Sequence, residues 1–221
     1  DAEGIFSAAG FLKEAAMTLN VEKAGKVVLV VGGGDVAMDC CRTARRIKGV
    51  EKVYSVCLEN SYDSMASSNY EIKSSIAEGI KFNHAQAIKT IYKDENGRIK
   101  GVTLKKCLSM FDAEGRFAPS YDEDDTRELE VDTIVFAISE TYAKNAIKAR
   151  PNTTFDCDKQ TLQSVSNEKV FIAGDASGES VIAIQAMATG RKAAESVIRF
   201  LNGESLTEGR ELKDTWTYET K

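Results

Sequence analysis

Gly32, Gly34 and Ala37 stand at the G-x-G-x-x-A spacing, directly after an apolar run. The first glycine permits a tight turn, and the second lets the backbone approach a pyrophosphate closely. The alanine is small enough for a following helix to pack on a sheet, and the free N–H groups at the start of that helix attract an anion. The pattern predicts that one continuous segment binds a dinucleotide phosphate: Gly32, Gly33, Gly34, Asp35, Val36 and Ala37. The structural alternative is a glycine turn that only lets a strand and a helix pack closely.

The segments on either side of this turn fit a βαβ unit. The unbroken run Val27–Val31 predicts a strand buried on both faces of a parallel sheet. The segment Ala37–Ile47 contains no helix breaker, and Arg45 and Arg46 lie near its end, where positive charge suits a helix C-terminus. A second strand is predicted over Lys52–Leu58.

Glu59 follows that second strand, roughly twenty residues after the glycine motif. An acidic side chain at this distance accepts hydrogen bonds from the ribose hydroxyls of NAD and repels a 2′-phosphate. The spacing therefore favours NAD over NADP. The alternative is a solvated glutamate at the end of a strand.

The remaining sequence predicts an α/β fold with an inserted antiparallel β-meander. The chain opens with a loop, and a polar, acidic loop is expected to end near Arg127. Helices are predicted over Ser7–Leu19, Ser68–Glu78 and Val181–Leu201, and strands over Lys81–Tyr92, Arg98–Cys107, Leu129–Ile138 and Lys169–Ala173. The tail from Glu204 is polar and is expected to be loosely held.

Composition argues against several classes of function. The formal net charge of -5 disfavours a nucleic-acid partner, and no apolar run approaches the roughly 20 residues of a membrane span. The five cysteines form no C-x-x-C pair and His84 is the only histidine, so neither a disulfide framework nor a metal site is predicted. Free thiols indicate a reducing, cytoplasmic setting. No side chain is assigned as a catalytic acid, base or nucleophile.

Several sequence blocks occur in one order along the chain: VVGGGDVAMDCCRTARR, MASSNYEIKSSIAEGIKF, DENGRIKGV, DTIVFAIS and VFIAGDASGESVIAIQAMATGRKAAESVIRFL. In that order they resemble the C-terminal half of the small (beta) subunit of glutamate synthase and of related paired-Rossmann flavoproteins. The resemblance implies hydride transfer from NAD(P)H to FAD, with electrons leaving through iron–sulfur clusters to a partner subunit or domain. In such enzymes the cofactors carry the chemistry.

The resemblance also implies how the chain is divided. Residues 1–24 would be a linker helix of the FAD domain, 25–145 the NAD(P)-binding Rossmann-like domain, 146–203 the C-terminal FAD-domain segment and 204–221 a polar tail. Gly174 and Asp175 resemble the second FAD fingerprint, whose aspartate hydrogen-bonds the ribityl or ribose–phosphate part of FAD.

The first FAD fingerprint and the cysteine-rich segment of the family are missing, and the chain begins at Asp1 rather than methionine. We therefore expect a fragment that by itself binds FAD weakly or not at all. Its expected partners are the missing half of the FAD domain and the iron–sulfur or large subunit of a parent enzyme. Apolar surface left uncovered by that half is expected to favour a homodimer.

Three positions depart from the family pattern. Glu59 and Asn60 stand where members that use NADPH carry adjacent arginines, which favours NAD, with NADP as the alternative. Ser139 replaces a glycine that allows close approach to the cofactor, and Ala66 replaces a proline. These departures leave open a second function, a non-catalytic binding or assembly module that has lost its nucleotide.

Overall fold

The structure, a computed structural model, describes residues 3–138, 154–178 and 182–210. The chain forms two compact units, Asp1–Glu140 and Thr141–Lys221. Within the described residues, none of the helices combines the length and the apolar character that crossing a membrane requires.

A five-stranded sheet, parallel throughout, forms the centre of the first unit. Its strands, in spatial order, are β1 (Ile5–Ser7), β8 (Thr133–Phe136), β2 (Val27–Val31), β3 (Lys52–Val56) and β4 (Lys81–Asn83). The middle strand β2 is the predicted apolar run, and its Val28, Leu29 and Val30 are fully buried. An uninterrupted apolar sequence is expected for such a strand because both of its faces are covered.

Three helices cover one face of this sheet: α1 (Ala8–Thr18), α2 (Asp35–Arg46) and α3 (Asn69–Ala77). Phe11, Met38 and Ile72 of these helices share one buried cluster with Val28 and Val30 of β2. Capping serines stabilise the N-terminal ends of α1 and α3. Ser7 accepts a hydrogen bond from the amide of Gly10 (3.2 Å), and Ser68 accepts one from the amide of Glu71 (3.3 Å).

A three-stranded antiparallel sheet covers the other face. It consists of β5 (Gln86–Lys93), β6 (Ile99–Phe111) and β7 (Phe117–Leu129). Val102 and Leu104 of β6 pack in one cluster with Leu29 and Ile134 of the parallel sheet. The predicted α/β fold with an inserted meander is therefore confirmed.

Several local predictions were wrong. The opening loop contains β1, which pairs with β8 in the register Ile5↔Ile134. The acidic loop before Arg127 is part of β7, because lysines of the other two strands of the sheet pair with its carboxylates: Glu123 pairs with Lys89 of β5 and Lys105 of β6. The predicted strand Leu129–Ile138 is two elements, since Leu129 ends β7 and β8 begins only at Thr133.

The predicted strand Lys81–Tyr92 is also divided, because the chain leaves the parallel sheet at Asn83 and enters the antiparallel sheet at Gln86. Ala85 lies between them with φ +51°, a left-handed conformation that interrupts a strand.

The second unit contains α4 (Ala183–Asn202), which ends at Gly203 in the left-handed conformation. The predicted strand Lys169–Ala173 is reduced to one bridge between Phe171 and Gln163. Residues 204–210 are held more firmly than expected. The side chain of Arg210 is buried against α4 and donates to the carbonyl of Lys192 (2.6 Å) and the hydroxyl of Ser196 (2.7 Å).

The first residues pack with the Rossmann-like core. Helix α1 contributes Phe11 to the same cluster as β2, and β1 extends the same sheet. The descent of residues 1–24 and 146–203 from an FAD domain, and the polar tail 204–221, stay predictions.

Candidate functional site

The glycine turn joins the end of β2 at Val31 to the start of α2 at Asp35. Gly32 has φ +141°, and a Cβ atom on it would lie closer than 3.0 Å to the carbonyl oxygen of Ala137. The same Cβ would lie 3.3 Å from that of Ala37, which is fully buried. Only a residue without a side chain fits between the ends of β2 and β8, so the turn is as tight as the motif requires.

The N-terminus of α2 is open beside this turn. Gly34 is its N-cap residue and offers no side-chain cap, and a Cβ on Gly34 would meet no described atom within 4 Å. Among the described residues, no protein acceptor is found for the amides of Asp35 and Val36. Unsatisfied amides and the positive end of the helix dipole meet in open space, which is an arrangement that binds anions.

The carboxylate of Asp35 is engaged by the loop that follows β3. It accepts hydrogen bonds from the hydroxyl of Ser67 (2.6 Å) and the amide of Ser68 (2.8 Å). The amide of Ser67 in turn donates to the carbonyl of Gly33 (3.0 Å). The side chain of Asp35 thus fixes this loop against the glycine turn, while its amide is the group left to face an anion.

Glu59 lies directly against the glycine turn. Only 8% of the residue is exposed, and its carboxylate atoms lie 2.5–2.7 Å from the place where a Cβ on Gly33 would stand. It takes part in no ion pair found among the described residues. The thiol of Cys57 donates to the backbone carbonyl of Glu59 (3.8 Å), and no hydrogen-bond donor to the carboxylate is found in the described part of the chain. The structure therefore brings the two sequence signals, the glycine motif and the acidic residue, into one place.

Asn60 is exposed, and its side chain forms a hydrogen bond within the loop that follows β3. Its amide oxygen accepts a hydrogen bond from the hydroxyl of Ser64 (3.1 Å), at the end of the short 3₁₀ turn Tyr62–Ser64. Val36 is half-exposed on the first turn of α2. Ser139 lies outside the described residues.

A pairing of Cys57 with His84 was not expected from the sequence. The sulfur atom of Cys57 lies 3.5 Å from Nδ1 of His84, because the ends of the adjacent strands β3 and β4 bring them together. Burial, followed by the nearby Glu59, raises the pKa of Cys57 to about 12, and burial lowers the pKa of His84. Both groups are therefore neutral near pH 7, which is unlike an activated thiolate nucleophile.

The imidazole ring of His84 packs against two aromatic side chains. Its ring stacks on Phe82 and lies edge-on to Tyr62, with centroids 5.8 and 4.5 Å apart. No group of three metal-binding side chains occurs in the ranges that the structure describes.

Gly174 and Asp175 open a 3₁₀ turn, Gly174–Ser177, in the second unit. Gly174 has φ +63°, and its amide donates to the hydroxyl of Thr189 on α4 (2.8 Å). Asp175 is exposed at the surface. The turn therefore lies against α4, in place of the predicted step from a strand.

The sequence profile of the pyridine nucleotide-disulphide oxidoreductase family matches residues 7–193. The chain belongs to this family. Membership of the pyridine nucleotide-disulphide oxidoreductases implies the use of FAD and a pyridine nucleotide. The match includes both the glycine turn of the first unit and Gly174–Asp175 of the second.

Curated relatives of this chain confirm the resemblance seen in the sequence. The glutamate synthase [NADPH] small chain of Escherichia coli (strain K12) is 28% identical over 220 residues, which are 91% of this chain and 46% of that protein. The NADP(+)-dependent formate dehydrogenase subunit beta of Moorella thermoacetica is 32% identical over 182 residues, 80% of this chain and 25% of that protein. The chain spans less than half the length of these relatives.

Two solved structures have a similar fold. FprA of Mycobacterium tuberculosis in complex with NADPH has a TM-score of 0.70 at 14% identity, over 92% of this chain and 60% of that one. A thioredoxin reductase of T. acidophilum has a TM-score of 0.65 at 17% identity, over 90% and 58%. At this identity the likeness shows the shared fold alone.

Proposed function

We propose that the chain is the pyridine-nucleotide-binding part of a flavoprotein oxidoreductase similar to the glutamate synthase small subunit. In this proposal NAD(P)H delivers a hydride to FAD, and electrons pass on to iron–sulfur clusters or a partner subunit. The observation that carries it is the open N-terminus of α2, where the amides of Asp35 and Val36 face space left free by Gly34.

The residues of the glycine turn would hold the pyrophosphate. The amides of Asp35 and Val36 would donate to phosphate oxygens, and Gly34 would leave room for them. Gly32 and Ala37 would act indirectly, because they let β2 and α2 meet closely enough to form the turn.

Glu59 would select the nucleotide. Its carboxylate lies beside the turn with no cationic partner among the described residues, so it can accept hydrogen bonds from two ribose hydroxyls. A 2′-phosphate would meet this negative charge instead. We therefore propose NAD as the preferred nucleotide, although the names of both curated relatives above specify NADPH or NADP(+).

FAD, when bound, supplies the centre that accepts the hydride. Gly174 and Asp175 are proposed to contact it in the parent enzyme, where the rest of the FAD domain would complete the site. We expect weak or no FAD retention by this chain alone, so a colourless preparation is the expected result and a yellow one contradicts this point.

Calorimetric titration with NADH and NADPH tests the proposal. The wild-type chain should bind NADH in the micromolar to millimolar range, and Gly34→Val should abolish binding because the side chain fills the space at the start of α2. Gly190→Val is a matched control, since Gly190 lies in α4 and also has no described atom near its Cβ position. Circular dichroism should show that both variants fold.

A folded wild-type chain that binds neither nucleotide would support the other function, a binding or assembly module without nucleotide. The position of the Asp35 carboxylate favours this second function, because the carboxylate places negative charge near the proposed phosphate site. Binding of NADH by the wild type, lost in Gly34→Val, would exclude it.

A further inference from the structure

Gly33, the middle residue of the glycine turn, has no conformational need to be glycine. The φ angle of Gly33 is not positive, in contrast to that of Gly32. Its Cβ position, however, is occupied by the carboxylate of Glu59: Cδ and both oxygens lie 2.5–2.7 Å from it. The absence of a side chain at residue 33 is therefore what allows Glu59 to lie against the turn.

The carboxylate of Glu59 is left without a hydrogen-bond donor from the described residues. The residue is more than nine-tenths buried, and the weakly donating thiol of Cys57 donates to its backbone carbonyl oxygen (3.8 Å). A carboxylate without N–H or O–H donors from the protein is free to accept them from a ligand. A vicinal diol, such as the unphosphorylated ribose of NAD, would supply two O–H donors.

We infer that Gly33 determines nucleotide specificity by placing the Glu59 carboxylate against the turn. The inference rests on the proposed function and adds Gly33 to it as a positioning residue, which acts through Glu59. With a methyl group at residue 33, the flexible end of Glu59 must move out of the site, because it is the part of the contact that can yield. Both the hydrogen bonds to ribose and the repulsion of a 2′-phosphate would then weaken.

The test is a double-mutant cycle of Gly33→Ala and Glu59→Ala, with dissociation constants measured for NADH and NADPH. Each single variant should bind NADH about 10-fold more weakly, as expected when hydrogen bonds to a charged group are lost. NADPH binding should change by less than about 3-fold or become tighter. In the Glu59→Ala background, Gly33→Ala should have little further effect, because its methyl group no longer meets a carboxylate.

Gly34→Ala serves as the matched control in the same turn. It should weaken NADH and NADPH by similar factors, since it would crowd the pyrophosphate that both share. If Gly33→Ala does not fold, the double variant is used for the test instead, because removing the Glu59 carboxylate makes room for the methyl group at residue 33. It should then show the NADH-to-NADPH preference of Glu59→Ala.

Several results would overturn the inference. One is a Gly33→Ala variant that loses affinity equally for both nucleotides, and another is additive losses in the double variant. A wild-type preference for NADPH would also overturn it. A wild-type chain that binds neither nucleotide overturns the proposed function as well, whereas binding with an unchanged preference in Gly33→Ala overturns this inference alone.

Discussion

Substitution of Gly32 by alanine should destabilise the first unit strongly. The backbone of Gly32 is fixed on both sides: its amide donates to the carbonyl of Val56 (2.9 Å), and the amide of Ala137 donates to the carbonyl of Val31 (2.8 Å). A Cβ atom would come closer than 3.0 Å to the carbonyl oxygen of Ala137. Because that neighbour is backbone rather than a mobile side chain, the clash cannot be relieved by a rotamer change.

Two costs add up in Gly32→Ala. An alanine held at φ +141° is strained by about 1–3 kcal/mol, and overpacking at a fixed neighbour costs about 1–3 kcal/mol more. We expect a loss of about 2–6 kcal/mol, a large part of the roughly 5–15 kcal/mol that stabilises a typical domain. At about 3 °C per kcal/mol, the melting temperature should fall by roughly 6–18 °C.

Urea denaturation followed by circular dichroism, together with scanning calorimetry, measures this loss. Gly34→Ala is the control, because Gly34 has φ −93° and an empty Cβ position and should lose less than about 1 kcal/mol. Equal destabilisation of the two variants, or a loss below about 1 kcal/mol for Gly32→Ala, would refute the reasoning.

Three further predictions concern acidic side chains. Glu59→Arg should shift preference towards NADPH in competitive titrations, and a wild type that already prefers NADPH contradicts the role given to Glu59. Arg46 and then Arg42 lower the pKa of Glu78 below its ordinary 4.5, so this carboxylate stabilises the fold above about that pH. Glu78→Gln should therefore be about 1 kcal/mol less stable at pH 7, with the difference vanishing as pH falls below 4.5 in pH-dependent urea melts. Asp132→Ala should cost about 2–4 kcal/mol in the same melts, because its carboxylate accepts the amides that start β2, and Asp132→Asn should cost less.

The elements around the glycine turn could be predicted because local sequence determines them. The run Val27–Val31 is apolar throughout because the strand is covered on both faces, and α3 begins within one residue of its predicted start because Ser68 caps it. Strand β7 could not be predicted in this way. Its acidic residues are compatible with a strand only because Lys89 and Lys105 of β5 and β6 face Glu123, and single-sequence periodicity carries no sign of that pairing.

The candidate site shows the same limit. The distance of Glu59 from the glycine motif predicted its position at the end of β3, but not its burial, which depends on Gly33. Nor could the sequence show that the Asp35 carboxylate would be taken up by Ser67 and Ser68, because that contact needs the loop after β3 to fold back over the turn.

The order of strands in the parallel sheet has a consequence for how the protein is made. Strand β2 lies between β3, its near neighbour in sequence, and β8, about 100 residues further along. At a synthesis rate of about 5–20 residues per second, one edge of the most apolar strand stays unpaired for roughly 5–20 seconds on the ribosome. During this interval the nascent chain exposes a template for association with other chains, so its yield should depend on chaperones that bind before the meander and β8 emerge.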